Sequence, residues 1–230
     1  MTIGCRMIPI LIFFVTLVSN SSLLAGILPD DLQVPVQVKE HDLGFYSEIL
    51  ESMGEQALWT MSGDVNAVSY RFTYIRSKDE PVVLRLDSTK AGYVLSIKQG
   101  DSARLSKLKV DQKKNLTNEQ WDDFVNLFNA LDFWEQPTVG AVEIERDLLD
   151  GSAWILEAVE NGRYHFIRRL SPGEVPWPSP KDARWYQRYR EKEGWPCCID
   201  KDASDEVNRN LMAVGRFLLR LSDLNLRRVY

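Results

Sequence analysis

The chain holds two histidines, His41 and His165. The stretch NGRYHFIRRLSP, beginning at Asn161, sets His165 among Arg163, Arg168 and Arg169 and beside the rings of Tyr164 and Phe166. An imidazole titrates near neutral pH and can serve as general acid or base; Asp150 or Glu157 would orient it, and Arg168 or Arg169 would clamp an anionic group. Such a set would suit a cell-envelope hydrolase or another small-molecule enzyme centred on His165 and Arg169. Strand geometry works against it, because alternation turns Glu157 and Arg168 to the face opposite His165. The competing reading makes His165 a half-buried sheet residue, with Arg169 lying over Trp154 as a cation–π pair.

A second group of residues suits contact rather than turnover. In SPGEVPWPSPKDARWYQRYREKEGWPCCIDKD, which opens a surface excursion at about residues 171–203, four prolines from Pro172 to Pro180 favour an extended path. Trp177, Trp185, Tyr186 and Tyr189 crowd beside them among arginines, and a short helix is expected from about Asp182 to Lys192. Rigid rings of this kind give large contact area, and a glycan, a peptidoglycan fragment or a protein partner would fit them. The plainer alternative is that the rings pin a long loop onto the domain.

Cys197 and Cys198 are adjacent, so they cannot close a long loop. A strained vicinal disulfide, an intermolecular bridge and free thiols all remain open. The spacing is not that of a Cys-x-x-Cys redox site, and there is no second pair for zinc. No His-Glu-x-x-His pair, Gly-x-Ser-x-Gly elbow or phosphate-cradling glycine loop occurs, so neither metal nor cofactor is expected.

These residues must be positioned by elements that the pattern reveals. GFYSEILESMGEQALWTM carries a helical stripe at Phe45, Ile49, Leu50, Met53, Ala57, Leu58 and Met61, with Gly54 inside it. Tyr70, Phe72 and Tyr74 alternate with Arg71 and Thr73, and VVLRLD and YVLSIKQ follow, which predicts an antiparallel meander with one covered face. Ahead of these, Val34, Val36 and Val38 could form an edge strand. Thr117 and Gln120 make a capping box, with Leu116 and Trp121 as its hydrophobic staple, and Trp121, Phe124, Val125, Phe128 and Leu131 form a core-facing stripe.

Asn161 and Gly162 favour a two-residue type I′ hairpin pairing Glu160 with Arg163, Ala158 with His165, Glu157 with Phe166 and Trp154 with Arg169. Its core side is expected to be Ile155, Val159, Tyr164, Phe166 and Leu170, in a hairpin central to the sheet. Val207, Leu211, Val214, Leu218 and Leu221 mark a last helix capped by Ser204. The fold class is α+β: one domain over residues 27–230, with an antiparallel sheet covered by at least three helices.

The start of the chain, MTIGCRMIPILIFFVTLVSNSSLLAG, has the layout of a secretory signal peptide over residues 1–26, cut somewhere between Ser21 and Gly26. LLAGI resembles a lipoprotein box, but Ile27 stands where the lipid-bearing cysteine would be. The expected product is therefore a soluble, non-lipidated protein of the periplasm or the extracellular space. Removing this segment takes away one charge, that of Arg6, and leaves the mature chain more acidic than the formal −5 of the whole. That balance argues against broad nucleic-acid binding, which needs a basic face. Asn115 opens an Asn-Leu-Thr sequon that matters only in a eukaryotic secretory pathway.

The stretch from Thr117 to Pro172, about a quarter of the chain, resembles a family of uncharacterised exported bacterial proteins. They share a helix ending in Phe-Trp, then Asp-Gly-Ser-x-Trp-x-Leu-Glu, Tyr-His and Arg-x-Ser-Pro. Asp150, Gly151, Trp154, Glu157, Tyr164, His165, Arg169 and Ser171 fall on that pattern; the proline-rich stretch and the cysteine pair do not. The resemblance implies an exported bacterial protein and carries no catalytic roles. The function expected from sequence is thus a binding or interaction protein of unknown ligand, using Trp177, Trp185, Tyr186 and Tyr189, with the hydrolase as alternative.

Overall fold

A computed structural model describes residues 28–29, 42–76, 79–101, 104–138, 152–170, 172 and 201–226. The signal-like segment, the valine-rich lead, Asp150, the aromatic stretch with Trp177, Trp185, Tyr186 and Tyr189, and the Cys197–Cys198 pair lie outside the described residues. The elements are α1 (Asp42–Ser52), a 3-10 turn (Leu58–Gly63), β1 (Ser69–Arg76), β2 (Val82–Thr89), β3 (Gly92–Asp101), β4 (Arg104–Leu116), α2 (Asn118–Ala130), a second 3-10 turn (Phe133–Glu135), β5 (Ser152–Glu160), β6 (Arg163–Leu170) and α3 (Lys201–Leu221). The strands form one six-stranded antiparallel sheet in the order β4-β3-β2-β1-β5-β6. With the helices this is an α+β architecture.

One face of the sheet bears the larger core. Tyr70, Phe72 and Tyr74 of β1 point into it together with Leu84, Leu86, Leu95, Ile97, Trp154, Leu156 and Ile167, and α2 and α3 supply Phe124, Phe128, Leu211, Val214 and Leu218. The start of α2 is fixed locally. Thr117 Oγ1 accepts from the Gln120 N–H at 3.1 Å, and the Gln120 side chain accepts from the Thr117 N–H at 3.0 Å, while Leu116 and Trp121, at the staple positions, both belong to the larger core. Trp121 stacks on Tyr93 at 4.1 Å. Gly215 brings α3 against the sheet so closely that a Cβ there would lie 2.5 Å from Trp154 Cζ3 and 2.7 Å from Phe72 Cζ.

The opposite face is covered as well, which corrects the expectation of one solvated side. Tyr46, Ile49 and Leu50 of α1, with Met53 just past its end, pack on Val83, Ile155 and Phe166. The inward stripe of α1 therefore begins at Tyr46, and Phe45 is left half exposed. The helix also stops earlier than the stripe implied. Gly54 takes a left-handed conformation (φ 64°), its N–H donates to Glu51 O, and the Glu55 N–H donates to Leu50 O, a Schellman ending in which glycine avoids the steric penalty on φ.

The β5–β6 turn has φ 53° at Asn161 and 71° at Gly162, as a type I′ turn requires. Ala158 pairs with His165, Glu157 with Phe166 and Trp154 with Arg169. β6 ends the strand order rather than lying inside it. The face of Trp154, Leu156 and Ile167 holds the larger core, whereas Ile155 and Phe166 belong to the smaller one beneath α1. α3 begins at Lys201, so Ser204 falls inside its first turn instead of capping it.

Candidate functional site

The sheet face on which α1 packs carries a row of polar residues, one from each of five neighbouring strands: Glu157, Arg71, Arg85, Ser96 and Lys113, the last of them exposed. Arg71 and Glu157 have no exposed side-chain surface. Arg71 Nε and Nη2 each donate to one Glu157 oxygen at 2.7 Å, a two-pronged pair, and Nη1 donates to the Gln56 carbonyl at 2.7 Å. Tyr46 donates to Glu157 Oε2, and Tyr164 donates to Oε1 at 2.9 Å. Glu55, turned inward by the Schellman ending, accepts from Arg85 Nη1 at 2.9 Å and lies 2.8 Å from Lys98 Nζ, an ion contact outside hydrogen-bond angles.

Three cations thus meet three anions, since Arg85 Nε also donates to Asp87 at 3.1 Å. Isolated charges could not remain in this environment, and their mutual pairing is what allows burial. Burial, reinforced by the neighbouring Glu157 charge, holds the Tyr46 and Tyr164 hydroxyls protonated well past the usual tyrosine range. Burial acts to lower the pKa of Arg71, but Glu157 outweighs it and keeps the guanidinium charged.

His165 lies on the other face, away from Glu157 and Arg168, as alternation requires. Its Nε2 is 2.8 Å from the Gln136 carbonyl and must carry a proton there. The ring meets Phe133 edge-on at 5.0 Å and Trp134 at 6.3 Å. Arg169 donates from Nη1 and Nη2 to the Pro137 carbonyl, both at 3.1 Å, and the Arg168 backbone N–H donates to Thr138 O at 2.7 Å. Beside this site Arg163 lies 4.4 Å over the Trp134 ring.

Of the residues that sequence reasoning assembled, His165 and Arg169 share a neighbourhood; Glu157 and Arg168 face the other way. Sequence reasoning missed Arg71, Glu55, Tyr46, Arg85 and Lys98. The available signals were an arginine inside the aromatic run of β1 and a glutamate directly after Gly54. Among the described residues no group of three His, Cys, Asp or Glu side chains is placed to hold a metal ion, and no helix is long and apolar enough to cross a membrane.

Fold and site together define an α+β scaffold with a buried ionic cluster under one helix and a histidine–arginine clasp at the last strand. Compared with known proteins, the chain matches no family model, and no curated protein is significantly similar to it.

Proposed function

We propose that the chain is an exported protein, periplasmic or secreted, that acts by binding or interaction, with a glycan, another envelope component or a protein as partner. The observation that carries this reading is that His165 and Arg169 are bound to the carbonyls of Gln136 and Pro137, while Arg71 and Glu157 are bound to each other. Side chains engaged in this way hold a scaffold together. The contact chemistry then falls to Trp177, Trp185, Tyr186 and Tyr189, which lie in sequence between β6 and α3, two elements rooted in the larger core. On this reading the helix-covered sheet is the platform and the rings are the contact surface. The apolar run near the start of the chain and the Asp-Gly-Ser-x-Trp-x-Leu-Glu resemblance support export.

Calorimetric titration of the chain lacking residues 1–26 with soluble peptidoglycan fragments tests the reading. Saturable binding is expected, lost in Trp185→Ala with thermal unfolding unchanged. Turnover of those fragments that disappears in His165→Ala would replace this reading with the hydrolase. A Trp185→Ala variant that binds as the parent does would remove the aromatic surface from consideration.

A further inference from the structure

β6 grips three consecutive carbonyls of the segment following the Phe133–Glu135 turn. Gln136 O meets His165 Nε2, Pro137 O accepts from Arg169, and Thr138 O accepts from the Arg168 backbone N–H. We propose that this clasp is a pH-sensitive latch, in which protonation of His165 loosens Gln136 to Thr138 from β6. The inference is independent of what the aromatic stretch binds.

The argument rests on where a second proton must go. The neutral imidazole already presents Nε2–H to Gln136, so protonation adds a proton and a full charge at Nδ1. The half-buried ring is walled on one side by Phe133 and Trp134, which displace part of the water around it. Among the described residues, the charged groups about it are Arg163 and Arg169 on its own strand, Glu135 on the 3-10 turn and Glu160 at the end of β5. Arg163 is stacked on Trp134, and Glu160 is engaged with the buried Tyr70 hydroxyl. Arg169 holds the adjacent carbonyl, so an imidazolium would stand beside a guanidinium inside one clasp.

Burial lowers the His165 pKa below the usual 6.5; the Gln136 bond opposes this, Arg169 adds to it, and Glu135 opposes it weakly. The sign follows from proton linkage. A histidine whose pKa is depressed in the closed state binds its proton more readily in the open state. The latch is therefore fully closed above about pH 6.5 and loses stability as pH falls from there through the depressed value.

Native-state hydrogen exchange at the Arg168 amide reads the latch directly. Its protection factor is expected to fall on acidification below about pH 6.5, by up to roughly tenfold per pH unit, while the core amides of Phe72 and Leu156 keep theirs. The fall should level off at the pH where the ring protons of His165, followed by NMR in the folded protein, titrate. His165→Gln, which retains an N–H donor near the Nε2 position and cannot titrate, should stay protected at low pH. The proposal is overturned by a pH-independent Arg168 protection factor, by a fall that continues unchanged below the pH at which the ring titrates, or by an equal loss at Phe72 and Leu156. Should the Gln variant fail to fold, the wild-type protection profile set against the ring titration decides the matter alone.

Discussion

Arg71 is held in place by several partners at once: both oxygens of Glu157, the Gln56 carbonyl and, at 3.6 Å, Glu55. Removing one partner of a buried ion pair is much more costly than removing both, because the survivor keeps its charge without compensation. Glu157→Ala should lower the free energy of unfolding by about 3–5 kcal/mol, measured by urea denaturation. The variant leaves a buried guanidinium with only part of its shell and two tyrosine hydroxyls without their acceptor. A loss within about 0.5 kcal/mol, as for a surface substitution, would mean that water reaches the cluster.

At the level of elements, close approach outranks intrinsic preference. Alanine favours a helix over glycine by about 1 kcal/mol, so Gly215→Ala would stabilise an isolated α3. In the folded chain the added methyl meets Trp154 and Phe72 well inside contact distance, and overpacking of this kind costs about 1–3 kcal/mol. A lower Tm is therefore expected, accompanied by a shifted Trp154 indole resonance; a higher Tm would show that α3 can move away from the sheet without loss.

Elements whose signals are local were legible in the sequence: the Thr117–Gln120 capping box, the Asn161–Gly162 turn, and the alternation of Tyr70, Phe72 and Tyr74. Each of those depends on neighbours within a few residues. The ionic cluster was not legible, because a period of two says which side Arg71 faces and nothing about what covers that side. Its principal partner, Glu157, is 86 residues away. Gly54 stands inside the helical stripe of the sequence, yet it ends α1 and turns Glu55 inward, a distinction set by a positive φ that composition does not reveal. The aromatic stretch with Trp185 was conspicuous by composition alone, and its part in function rests on the proposed binding.

For the molecule as a whole, the strand order places the end of a local meander beside a distant hairpin. β1 to β4 are joined by short connections, whereas β5 reaches β1 only after the chain has passed through α2. Closing long loops is slow relative to local pairing. Until β5 arrives, Arg71 has no Glu157, and α1 cannot settle over it without trapping a charge away from water. Pulsed hydrogen-exchange labelling during refolding should find the amides of Leu84 and Leu95 protected first, and those of Ile49 and Leu50 only together with Ile155 and Leu156. Protection of α1 ahead of β5 would contradict this order. In that order a helix that precedes the whole sheet in sequence would wait for nearly the last strand, and the buried arginine would act as a timing device that keeps one flank of a half-built sheet hydrated until the correct strand occupies it.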